Sequence, residues 1–143
     1  MPFDAAEFNS VAVWLIDQRT DESSLRTAIS RVYYAGHLLA VQGLKRKKGW
    51  QPKGTGDDHR GVILELRAAT TRGRSDRLNQ LRMLREHADY HLDASESASN
   101  RGCSFCKKIR ESSRSAGDPN VTLDHWQNAK EVSGTCFSLL TKL

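Results

Sequence analysis

Arg85 and His91 stand six positions apart in the stretch Leu84-Arg85-Glu86-His87-Ala88-Asp89-Tyr90-His91-Leu92. An arginine supplies a fixed positive charge and a planar fork of N–H donors that fits a phosphate. A histidine supplies a proton carrier that titrates near neutrality. Cleavage of an RNA phosphodiester by its own 2′-hydroxyl needs both and needs no metal. On an ideal helix, six positions are about 120° of rotation and about 9 Å of rise, so the pair does not share a narrow stripe. Two copies related by a two-fold axis can bring two arginines and two histidines into one cleft. His87, Asp89 and Tyr90 add polar groups nearby, and Asp89 lies one turn beyond Arg85, where it can pair with it. The plainer alternative is a solvated helix face with routine ion pairs.

A second polar row precedes this one. Arg26, Ser30, Tyr33 and His37 are spaced 4, 3 and 4, which puts them on one helix face. Such a row is either a hydrogen-bonded seam between helices or part of a site. Lys45, Arg46, Lys47 and Lys48, followed by Trp50 and Lys53, make a basic segment with one aromatic residue. It can hold single-stranded RNA by charge and stacking, or serve only to keep the chain dissolved. A competing chemistry is zinc. His87 and His91 are one turn apart, and Cys103-x-x-Cys106 is a common half-site. Unpaired loop thiols are the ordinary reading of those cysteines, and no metal or other cofactor is expected. His59 reads as a capping or interhelical group, His125 as a surface residue and Cys136 as core.

The elements that must position these groups are helical almost throughout. Ala5, Phe8, Ala12 and Leu15 recur at helical spacing within Phe3 to Arg19. Thr20 to Ser24 is a polar break, and a second helix runs from about Leu25 to Lys47. Its core stripe is Leu25, Ala28, Ile29, Val32 and Leu39, with Ala35 and Gly36 permitting close contact. Gly49 to Gly56 is a loop. Asp57 or Asp58 caps a third helix carrying Val62, Ile63, Leu66 and Ala69. Arg72-Gly73-Arg74 breaks it, and Ser75 begins a fourth with Leu78, Leu81, Leu84, Ala88 and Leu92 on one face. Residues 93–117 are rich in serine and charge and read as an exposed insertion. Asp118-Pro119 starts a last helix with Trp126, Val132, Cys136, Phe137 and Leu140. The expectation is an all-α antiparallel bundle of about five helices, a single domain over residues 1–143.

Composition narrows the function classes. The chain has 143 residues, 38% hydrophobic and 27% charged, with no apolar run long enough to cross a membrane. Met1 to Asn9 carries Asp4 and Glu7 and no basic region, which argues against a signal peptide and for the cytoplasm. Three cysteines, without a secretory signal, argue against a disulfide framework. A formal charge of +5 and a pI near 9.3 suit either a polyanionic partner or an ordinary basic surface.

Three segments resemble the HEPN superfamily, helical nucleotide-binding domains of prokaryotes and eukaryotes. Leu25-Arg26-Thr27-Ala28-Ile29-Ser30-Arg31-Val32-Tyr33-Tyr34-Ala35 is similar to its second-helix signature. Asp58-His59-Arg60-Gly61-Val62-Ile63 is similar to its third-helix start, and Arg85-Glu86-His87-Ala88-Asp89-Tyr90 to its fourth-helix signature. The resemblance covers about Phe3 to Asp93. It implies a metal-independent endoribonuclease whose arginine and histidine are Arg85 and His91, supported by Tyr33, His87, Asp89 and Tyr90. It implies a homodimer with facing motifs, and a toxin or phage-defence role beside a nucleotidyltransferase-type antitoxin or within a larger defence complex. The alternatives are a non-catalytic HEPN adaptor that binds nucleotide, RNA or a partner protein, and a zinc-stapled interaction protein.

Overall fold

The structure, a computed structural model, describes residues 3–19, 21–69 and 72–90, together with Glu131, Ser133 and Gly134. Among the described residues the chain is all-α, with helices α1 (Ala6–Gln18), α2 (Glu22–Lys48), α3 (Asp58–Ala69) and α4 (Arg72–Tyr90). The insertion expected at 93–117 lies outside the described residues, as do Trp126, Val132, Cys136, Phe137 and Leu140 of the expected last helix.

Helix α2 organises the rest. Its 27 residues span about 40 Å at 1.5 Å per residue. It starts at Glu22, earlier than the expected Leu25, because Asp21 caps it in extended conformation. The Asp21 carboxylate accepts from the Ser24 N–H at 3.2 Å and the Ser24 hydroxyl at 2.9 Å. These bonds, the hydroxyl's above all, hold its pKa down to about 2. The helix stops at Gly49, whose φ of 64° is open to glycine and costly for other residues. Its N–H returns to the Leu44 and Lys45 carbonyls. Lys45 to Lys48 fill the last turn, where cations suit the negative end of the helix dipole.

Helix α1 folds back antiparallel on α2, where the Arg31 guanidinium sits 4.9 Å from the centre of the Phe8 ring. Among the described helices it packs on α2 alone, while α2 also meets α3 and α4, and α3 meets α4. The loop from Gly49 to Asp57 carries the chain back along α2. The contacts Tyr33–His59 and Lys48–Glu65 then ascend together, so α3 runs in the same general sense as α2. Asp58 ties that loop by accepting from the Lys53 and Gly54 N–H groups, each at 2.8 Å. Gly54 turns there with a φ of 78°.

The core lies between α2 and the other three helices. Leu25, Ala28, Ile29, Val32 and Ala35 are buried, as their spacing predicts, and Ala28, Val32 and Ala35 share one cluster with Ala12, Val62, Leu66, Leu78 and Leu81. Leu39 is only partly covered. Arg72-Gly73-Arg74 is not a break but the first turn of α4. A glycine inside a helix costs about 1 kcal/mol relative to alanine. Burial of Ser75, Leu78 and Leu81 against α2 and α3 offsets that. No helix among the described residues is long and apolar enough to cross a membrane.

Candidate functional site

The polar row of α2 is a seam against α4 and α3. Arg26 donates from Nη1 to the Ala88 carbonyl at 2.9 Å, satisfying a helix-end acceptor of α4. Ser30 donates to Asp89 Oδ2 at 3.3 Å. One turn on, Tyr33 and the start of α3 meet, with Tyr33 Oη 2.6 Å from His59 Nδ1. From the Ser30–Asp89 contact to the Tyr33–Arg85 contact, residue numbers rise along α2 as they fall along α4, so these two helices are antiparallel.

Arg85 sits in this seam, with 6% of its surface exposed. Its guanidinium carbon lies 5.2 Å from the Tyr33 ring centre, 5.7 Å from that of Tyr34 and 5.8 Å from that of Tyr90. Nη1 is 3.7 Å from Asp89 Oδ2, an ion pair too long for a hydrogen bond. Nε is buried and has no hydrogen-bond partner. An unsatisfied donor on a charged group is costly in a low-dielectric setting and calls for an acceptor. Asp89 therefore pairs with Arg85 as its position one turn on predicts. Tyr90, 70% exposed, reaches Arg85 only with its ring.

Around Tyr33 the seam becomes a cluster of titratable groups. Tyr33 is wholly buried, and desolvation pushes its phenol far above the usual value, so it stays protonated. His37 stacks on it at 5.7 Å, lies 4.8 Å from the His59 ring and leaves Nδ1 unpartnered. Burial first, then the proximity of His59, pulls the His37 pKa down to about 4. His59 is lowered too, by burial and then by the charges of Arg85 and Arg82. Arg82 pairs with Glu86 at 3.4 Å on the partly exposed side of α4. Both imidazoles are thus neutral around pH 7.

His37 was legible as a member of the spaced row. His59 was legible as a capping or interhelical group but its partner was not, because its meeting with Tyr33 depends on how the loop returns α3 to α2. His91, Cys103, Cys106 and the side chain of His87 lie outside the described residues, and with them the zinc alternative. Among the described residues no group of three or more histidine, cysteine or carboxylate side chains is gathered for a metal.

Lys45, Arg46, Lys47 and Lys48 are exposed, and Lys48 pairs with Glu65 at 3.2 Å. They lie about 18–22 Å along the α2 axis from Tyr33, so one chain does not unite them with Arg85. Trp50 is half-buried against the core rather than displayed, and a Cβ on Gly61 would sit 3.6 Å from its ring. A cleft of about 200 Å³ beside it is lined by Trp50, Lys53, Asp57, Asp58 and Glu65. Those carboxylates disfavour a phosphate there. Compared with protein-family models, with curated proteins and with solved structures, the chain matches none.

Proposed function

We propose that this chain is a metal-independent endoribonuclease of the HEPN type, acting in the cytoplasm as a homodimer in a toxin–antitoxin or phage-defence system. The observation that carries the reading is Arg85, a buried guanidinium whose Nε lacks an acceptor. A phosphoryl oxygen is the acceptor that suits a charged, directional donor of this kind. In the reaction the RNA 2′-hydroxyl attacks the adjacent phosphorus. His91 takes the hydroxyl proton, and a second His91, across the two-fold axis, gives a proton to the departing 5′-oxygen. Arg85 holds the charge that builds on the phosphoryl oxygens. The products are a 2′,3′-cyclic phosphate and a free 5′-hydroxyl, and DNA, lacking the nucleophile, is untouched. Lys45 to Lys48 attract the strand, and a nucleotidyltransferase-type antitoxin would act by covering or modifying the cleft.

The depth of Arg85 favours a second reading. A guanidinium with 6% exposure, stacked on two tyrosines, also suits a non-catalytic adaptor that binds RNA, nucleotide or a protein. Purified protein incubated with a mixed RNA pool in EDTA, beside Arg85→Ala and His91→Ala, separates the two. Cleavage with cyclic-phosphate ends that is lost in both variants supports the nuclease. RNA binding without turnover by a folded dimer supports the adaptor.

A further inference from the structure

His59 opens α3 and is tied by Nδ1 to Tyr33 Oη at 2.6 Å. Tyr33 is buried, its phenol is held protonated, and its hydroxyl must give that proton to an acceptor. Among the described residues, His59 Nδ1 is the acceptor in reach. A neutral ring that accepts at Nδ1 carries its own proton on Nε2. The Tyr33 hydrogen bond thus selects the Nε2–H tautomer of His59. Nearby Arg85 and Arg82 disfavour a second proton on the ring.

His59 and Arg85 flank the same two rings. The His59 centroid is 5.7 Å from Tyr33 and 6.1 Å from Tyr34, and the Arg85 guanidinium carbon is 5.2 and 5.7 Å from them. Arg85 is more than nine-tenths buried, with its Nε–H unpartnered. His59 is partly exposed and can meet a ligand from solvent. Two donors of different kinds, one charged and deep, one neutral and shallow, thus border one pair of tyrosines.

We propose that His59 Nε2–H and the Arg85 guanidinium form a phosphate clamp for RNA, with His59 a neutral donor oriented by Tyr33 and not a proton carrier. The proposal rests on the reading that Arg85 takes a phosphodiester. A neutral second donor has a physical advantage, since a second cation beside Arg85 would be repelled. It can grip an oxygen without exchanging its proton, which leaves acid–base work to His91.

The test is binding of a 2′-O-methyl RNA oligonucleotide, which lacks the nucleophile and so reads the clamp whether or not the chain cleaves. Losing one hydrogen bond to a phosphate weakens binding roughly tenfold, the expected effect of His59→Ala. His59→Gln places an amide N–H near the Nε2 position and cannot take up a proton. It restores binding to within a few-fold of wild type. Tyr33→Phe frees the tautomer and weakens binding in the His59 background, but has little effect in the His59→Gln background. The proposal is overturned if His59→Ala binds as wild type does, or if folded His59→Gln is as weak as the alanine variant. Absence of wild-type binding overturns it too. Should His59→Ala fail to fold, Tyr33→Phe in the His59 and His59→Gln backgrounds decides, and the proposal is overturned if that change weakens binding in neither background or equally in both. A wild-type chain that binds this oligonucleotide but leaves ordinary RNA intact removes the nuclease and keeps the clamp.

Discussion

Lys45, Arg46, Lys47 and Lys48 stand in solvent at the end of α2, whereas Arg85 is sunk against Tyr33 and Tyr34 with one donor unsatisfied. Both regions are positive, and they do different things. Solvated cations attract a polyanion through counterion release, with little geometric demand and strong dependence on salt. A buried guanidinium cannot roam. Its rings and neighbours fix its fork, so it selects an acceptor by direction and little salt reaches it. Sequence counts the two kinds of charge alike; only burial separates them.

The largest expected effect comes from removing the buried charge. Arg85→Met lowers the cleavage rate by roughly 10²–10³-fold, the cost of losing one preorganised transition-state donor. The melting temperature holds or rises, because replacing a poorly satisfied buried ion by an apolar chain is often neutral or stabilising. A steep fall in melting temperature would instead make Arg85 a structural strut. Replacing Lys45, Arg46, Lys47 and Lys48 together by serine does the opposite. Binding of single-stranded RNA weakens mainly at low salt, and the slope of log K against log salt shrinks by up to about 3. An unchanged slope would show that the strand does not pass this end of α2.

Smaller effects separate buried from exposed titration. His37 is held at about 4 against its ordinary 6.5, chiefly by desolvation. Between those values the unfolded chain binds more protons than the folded one, so stability falls as pH drops from about 6.5 to about 4. Urea unfolding across that range should show the slope in wild type and a flatter one in His37→Gln. Asp21 titrates at the surface, where the Ser24 hydroxyl and N–H depress it to about 2 from 3.8. Its contribution is present above 3.8 and is lost as pH falls through about 2. Asp21→Asn should leave stability near pH 7 almost unchanged and slightly flatten the acid limb, the smallest effect of the set.

The Ala-Asp-Tyr string shows how far residues could be read ahead of the fold. Asp89 was legible as a partner for Arg85 because one helical turn brings them together whatever else happens. That the Ala88 carbonyl takes Arg26 and that Asp89 also holds Ser30 was not, since each pairing spans some sixty residues of chain. The Gly73 turn misled for a related reason. Local propensity reads a break at Arg72-Gly73-Arg74, but packing of Ser75, Leu78 and Leu81 outweighs the cost of one glycine.

Sequence by itself determined α1 to α4, their apolar stripes, the stop near Gly49 and the facing of Arg26, Ser30, Tyr33 and His37, although it put the start of α2 near Leu25 and not at the Asp21 cap. All of these follow from a period of 3.6 residues and from backbone donors that must find partners within a turn or two. Tertiary structure decided that Arg85 is buried with a donor to spare, that His59 meets Tyr33, and that the basic run lies far from both. Those outcomes depend on how a loop closes and how helices dock, and they join residues that no local period relates.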